Sequence, residues 1–129
     1  MPETAGTIDL ERVICRLEDL DVEGTRGFTL GGGTWPLRGF LVRDGAAVHA
    51  YVNRCPHAGS PLNLLPHRFL SADGRLILCT AHGALFEKGT GRCVAGPCFG
   101  AALQRLAVEV RAGYVLVAPE VELRGAADD

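Results

Sequence analysis

Seventeen glycines and seven prolines cut this chain into short apolar runs rich in Val, Leu and Phe, and that punctuation limits what it can fold into. No segment keeps a 3.6-residue apolar period long enough for a major helix, while runs of about four to eight residues bounded by turn formers suit short strands. The expected fold is all-β, with antiparallel sheets. Two hairpins stand out: residues 39–42 turning at Asp44 and Gly45 into 47–52, and residues 106–110 turning at Ala112 and Gly113 into 114–117. A third turn, Asp73 and Gly74, precedes the run 75–80. Alternation within 47–52 places Val48, Ala50 and Val52 on one face and His49 and Tyr51 on the other, which makes His49 a strand-surface residue. Cys15 alternates with Val13 and Leu17 along a strand and belongs to the core. Trp35 and Phe40 are packing residues, and no aromatic series suggests stacking on nucleic acid.

The stretch 53–100 differs from its flanks, because its strands are short and three Gly/Pro-rich loops interrupt it, at 55–61, 79–84 and 96–100. It is expected to form a subdomain inserted into a base sheet built from residues 7–52 and 103–118. A chain of 129 residues has room for one domain, here 1–123, with a frayed tail at 124–129. Residues 1–23 hold seven acids and two arginines, whereas 53–92 hold two acids and five bases, so one end is acidic and the other basic. The net charge of -2 gives no bulk attraction to nucleic acid or anionic membrane. The first ten residues lack the basic start and apolar run of a signal peptide, and no later run approaches the about 18 apolar residues of a spanning helix. A cytoplasmic protein is expected. Five cysteines, odd in number and irregular in spacing, do not make a paired disulfide framework and suit metal ligation or burial.

Two of them belong to pairs with ligand character: Cys55-Pro56-His57 and, after 21 intervening residues, Cys79-Thr80-Ala81-His82. Each pair follows a β-rich run, so each sits on a loop at a strand end. Thiolate and imidazole are both good metal donors, and two such pairs in this order point to a metal centre. Two Cys and two His serve a tetrahedral zinc site as well as an iron-sulfur centre.

Cys-x-His followed by Cys-x-x-His resembles the ligand motif of the Rieske iron-sulfur proteins. The resemblance covers residues 53–100 and takes in Cys79 through Leu85 (CTAHGAL), Thr90 and Gly91, and the Gly96-Pro97 loop, which in that family folds over the cluster. The gap between the two pairs is longer than the family's usual one and lengthens the loop 62–72. The resemblance implies a Rieske fold, in which a base domain carries a cluster-binding subdomain, and a [2Fe-2S] cluster. Cys55 and Cys79 would hold the inner iron, and His57 and His82 the outer iron. Two thiolates and two neutral imidazoles bring a doubly positive cluster core to zero charge, where four thiolates would leave it doubly negative. An added electron is then easier to accept, so such centres lie at about -150 to +300 mV against about -400 mV for plant-type clusters.

High-potential members of that family carry a disulfide between the two ligand loops and a serine hydroxyl bonded to a cluster sulfide. Here Ser60 and Ala81 stand at the disulfide positions and Ala84 where the serine would be. Fewer donors to sulfur imply a potential in the lower part of the range. Gly59, Gly83 and Gly96 are the candidates for bringing bare backbone N–H groups near the sulfides. His57 and His82 would face solvent as the electron's exit, with a potential that falls as their distal nitrogens deprotonate at alkaline pH. His67 is expected to be an ordinary loop histidine rather than a replacement ligand. Cys93 and Cys98, which a disulfide or redox pair would also suit, are expected to be buried as small apolar side chains. Arg54 and Arg68 could present positive charge to an acidic redox partner.

The function implied is that of a Rieske-type ferredoxin, a one-electron carrier rather than an enzyme, passing electrons from a reductase to a terminal oxygenase or reductase. A complete oxygenase needs a further domain with a mononuclear iron held by two histidines and a carboxylate, and the 29 residues after Gly100 contain no histidine. The alternatives are a structural zinc module and a small redox or regulatory subunit of a larger oxidoreductase, for which no effector motif is present.

Overall fold

The structure, a computed structural model, describes residues 9–21, 24–32, 34, 36–56 and 59–123. Among these the strands are β1 (Val13–Arg16), β2 (Thr25–Leu30), β3 (Leu37–Asp44), β4 (Ala47–Val52), β5 (Ile77–Leu78), β6 (Leu85–Phe86), β7 (Cys93–Ala95), β8 (Arg105–Leu106), β9 (Val108–Arg111) and β10 (Tyr114–Val117). They pair antiparallel in three sheets, β1-β10-β9, β2-β3-β4-β8 and β5-β6-β7. No described helix is long and apolar enough to cross a membrane. The fold is all-β, as the punctuation of the sequence implies.

Alternation along β3 and β4 builds two cores. Leu37 and Leu41 of β3 and Ala50 and Val52 of β4 pack with Cys15, Leu20, Leu106, Val115 and Val117. The opposite face carries Phe40, Val42 and Tyr51 into a second core with Leu62, Phe69, Ile77, Phe86 and Leu103. Phe40 stacks on Phe69 at 4.3 Å between ring centroids. Strands buried on both faces are apolar without interruption, which is why β3 contains Phe40-Leu41-Val42 instead of a polar alternation. Tyr51 is fully buried and its hydroxyl donates to the Lys88 carbonyl at 2.6 Å, tying β4 to the region beyond β6. His49, on the same face, is half-buried rather than a free surface residue, with Arg105 Nη2 3.0 Å from its Nδ1.

The single base sheet expected from residues 7–52 and 103–118 is in fact two sheets packed over the first core. The run 106–110 divides between them. Leu106 pairs with Ala50 in one sheet and Val108 with Val117 in the other, while the carbonyl of the intervening Ala107 accepts from Ala118 N–H at 2.9 Å. Leu17 is not on the strand of Cys15. The Asp19 carboxylate accepts the Arg16 N–H at 3.0 Å and turns the chain into a 3-10 helix, Leu17–Leu20, although Cys15 itself is in the core as expected. Only Ile77–Leu78 of the run 75–80 is strand, because the Arg75 and Leu76 N–H groups are taken by Asp73 Oδ1 and Ser71 Oγ. The first hairpin turns at Gly45 and Ala46, one residue later than expected, since Asp44 still pairs with Ala47. The second turns at Ala112 and Gly113, with φ of 53° and 84°. Trp35, the first eight residues and the 124–129 tail lie outside the described residues.

Candidate metal centre

The end of β4 delivers the chain to Cys55, and the end of β5 delivers it to Cys79. From there the two loops follow one backbone pattern. Cys55 N–H donates to the Ser60 carbonyl at 2.8 Å and Gly59 N–H returns to the Cys55 carbonyl at 2.7 Å. Cys79 N–H donates to the Ala84 carbonyl at 2.9 Å and Gly83 N–H returns to the Cys79 carbonyl at 3.0 Å. In both, the cysteine bonds to the fifth residue on and the fourth is a glycine, at φ of 75° and 74°. A left-handed residue is needed at that point to fold each loop back on its cysteine, and glycine takes it without steric cost.

Leu62 joins the two loops. Its carbonyl accepts both the N–H and the hydroxyl of Thr80, each at 2.9 Å, while its own N–H donates to Asn53 Oδ1 at 2.8 Å. Asn53 Nδ2 continues to Asn63 Oδ1 at 2.9 Å. The third loop closes over the second at Gly96, where φ is 97° and a Cβ would lie 2.8 Å from Ala84 Cα. Only glycine fits that approach.

The geometry places Cys55 and Cys79 together as buried sulfurs, at 2% and 1% exposure. Burial pushes the Cys79 thiol up; the backbone N–H groups of Ala81 and His82, facing its sulfur, pull the other way, and the neighbouring Cys55 pushes it up further. Two sulfurs facing one another in an apolar core, with amide donors on one of them, make an uncomfortable pair of free thiols and a suitable pair of metal thiolates. His82 stands exposed on the loop of Cys79. His57 lies outside the described residues. Among those described, no three His, Cys, Asp or Glu side chains gather closely enough to hold a single ion.

The sequence matches the Rieske [2Fe-2S] domain family over residues 11–112. The chain belongs to that family. The cofactor of a Rieske domain is a [2Fe-2S] cluster, and the buried sulfur pair with its amide donors fits one. No curated protein matches the chain. Among solved structures, the ferredoxin of carbazole 1,9a-dioxygenase from Nocardioides aromaticivorans IC177 is similar, at 29% identity and a TM-score of 0.65, over 84% of this chain and 96% of that one. A complex of reduced oxygenase and oxidized ferredoxin in carbazole 1,9a-dioxygenase contains a chain 28% identical, with a TM-score of 0.65, covering 87% of this chain and 95% of that one. The terminal oxygenase of carbazole 1,9a-dioxygenase from Nocardioides aromaticivorans IC177 shares the fold, at 22% identity and a TM-score of 0.63, over 89% of this chain but only 31% of its own length.

Other residues of this Rieske protein fall away from the sulfur pair. His67, at φ 65°, accepts the Gly27 N–H on Nδ1 at 3.1 Å, and its carbonyl accepts the Thr25 hydroxyl at 2.6 Å, so it anchors the long loop 62–72 to β2. A cleft of 320 Å³ lined by Arg38, Asn53, Asn63 and His67, among others, includes neither Cys55 nor Cys79. Arg54, directly before Cys55, and Arg68, in the loop 62–72, are both exposed. Sequence reasoning passed over Asn53 and Thr80, which set the spacing of the two loops. Their only signal was position, each a polar side chain at a strand end, Asn53 two residues before Cys55 and Thr80 directly after Cys79.

Proposed function

We propose that this Rieske protein is a cytoplasmic one-electron carrier that takes electrons from a reductase and delivers them to a terminal oxygenase or reductase. Residues 1–123 form its one domain, with a cluster-binding subdomain at about 53–100. Cys55 and Cys79 hold the inner iron as thiolates, and His57 and His82 hold the outer iron through imidazole. The observation that carries this reading is the asymmetry of the centre, with two sulfurs sealed in the core and His82 exposed at the edge. When bound, a [2Fe-2S] cluster supplies one reversibly exchanged electron.

The chain's own residues do the rest. The paired loop turns aim Cys55 and Cys79 inward, the Thr80 to Leu62 to Asn53 hydrogen bonds keep the loops in register, and Gly96 lets the third loop exclude water. Leu64 and Phe99, at 82% and 76% exposure, follow the first Cys/His loop and lie in the third loop respectively, and offer a partner apolar side chains to dock on. The ferredoxin similarity spans nearly a whole carrier, whereas the oxygenase similarity spans a minor part of a much larger chain. The complex of ferredoxin with oxygenase makes a terminal oxygenase the favoured acceptor. Stopped-flow mixing of reduced protein with a copurified oxygenase tests the reading. Reoxidation at a rate proportional to oxygenase concentration is expected, and a cluster-loaded protein that does not pass its electron would overturn the carrier role.

A further inference from the structure

Cys93 and Cys98 have no part in the centre proposed above, yet the fold holds their sulfurs 2.7 Å apart. That is only about 0.7 Å beyond a disulfide bond. The Cys98 thiol donates to Cys93 Sγ, and the Cys93 thiol donates to the Ala95 carbonyl at 3.2 Å. The backbone fixes the pair independently of the sulfurs. Cys93 N–H donates to the Ala101 carbonyl and Ala101 N–H to the Cys98 carbonyl, each at 2.8 Å, and Gly96 reverses the chain between the two cysteines. Both side chains are buried, at 3% and 6%, while Gly96, Pro97 and Phe99 of the same loop are exposed. Burial pushes the Cys98 thiol up to about 12, and the neighbouring Cys93 and then Cys55 push it the same way. Cys15 lies in the other core and has neither cysteine as a neighbour there.

We propose that Cys93 and Cys98 are a reversible dithiol–disulfide site whose oxidant is a small-molecule disulfide of the glutathione class. One protein sulfur attacks the oxidant, forming a mixed disulfide and releasing one thiol. The second protein sulfur then displaces the other thiol, closing the Cys93–Cys98 bond. Two protons leave the protein thiols, two electrons pass to the oxidant, and one disulfide is exchanged for another. Because the bonded segment contains Gly96, oxidation cross-links the base of the loop that packs on Ala84.

Cys93 and Cys98 share a core with Cys55 and Cys79, and one experiment reads the dithiol and the cluster separately. The purified protein is equilibrated anaerobically in mixtures of reduced and oxidised glutathione, quenched in acid, unfolded and alkylated, and read by intact mass and peptide mapping, with the visible spectrum of each sample recorded before quenching. Five alkylated thiols are expected at the reducing end and three at the oxidising end, with the bridge mapped to Cys93 and Cys98. The Cys98→Ser variant is expected to show four thiols throughout. Five thiols in the wild type at every mixture, a lasting adduct with glutathione, or a bridge that uses Cys15, Cys55 or Cys79 would overturn the proposal. A fall from five to three in colourless protein would support it while refuting the cluster.

Discussion

Ala84 sits at 1% exposure in the same core cluster as Cys55 and Cys79, and offers a methyl group where a hydroxyl would donate to sulfur. Replacing it with serine adds one hydroxyl among the sulfurs. Such a donor favours the more negative, reduced state, so Ala84→Ser is expected to raise the midpoint potential, by about 60 mV if the bond is worth about 1.4 kcal/mol more after reduction. Potentiometric titration of the two proteins checks this, and an unchanged or lowered midpoint would contradict it. Cys15 supplies a different test in the other core. Burial pushes its thiol from the ordinary 9.0 up to about 11, with Arg26 pulling slightly the other way. The protonated thiol is the form that the fold prefers, so its contribution to stability is complete below about pH 9 and is lost as pH rises through about 11. Urea unfolding of wild type and Cys15→Ala is expected to show a stability difference that shrinks across that window. At this scale the Cys-x-His and Cys-x-x-His pairs stood out in the sequence as candidate ligands, and the structure brings their two cysteines together in the core. Asn53 was not, because its role depends on where Leu62, nine residues on, presents an N–H.

The loops obey a stricter geometry than the strands. Gly96→Ala would place a Cβ 2.8 Å from the Ala84 backbone at a φ of 97°, so the third loop must lift off the second. A cost of about 1–3 kcal/mol is expected in denaturant unfolding, together with faster bleaching of the visible spectrum in the presence of an iron chelator. Unchanged stability and an unchanged bleaching rate would show that the two loops are not in contact. The strands themselves were legible where alternation or a turn marked them, as in β3 and β4. The break at Ala107 was hidden, because Leu106, Val108 and Val110 keep one period-two apolar face through it and no glycine or proline marks it. What divides them is that β4 claims one half and β10 the other, a tertiary choice that local pattern does not encode.

At the scale of the whole molecule, β3 and β4 are the shared wall between two cores, one closed by the sheet of β1, β10 and β9 and the other by the ligand loops and β5 to β7. This arrangement explains how a small chain can hold a rigid centre. The loops are too short to bury themselves, and they borrow Phe40, Val42 and Tyr51 from the base. The all-β class was readable from glycine, proline and strand length, whereas the two-sheet base was not, since nothing local says which edge a strand will join. The central claim concerns how the centre is held, by sulfur at one iron and nitrogen at the other. Electron paramagnetic resonance of the anaerobically purified, dithionite-reduced protein tests it most directly. A rhombic signal with average g below the free-electron value and hyperfine coupling to histidine nitrogen is predicted, with the nitrogen coupling altered in His82→Cys. A signal without nitrogen coupling, or a colourless, silent protein containing one zinc, would contradict it.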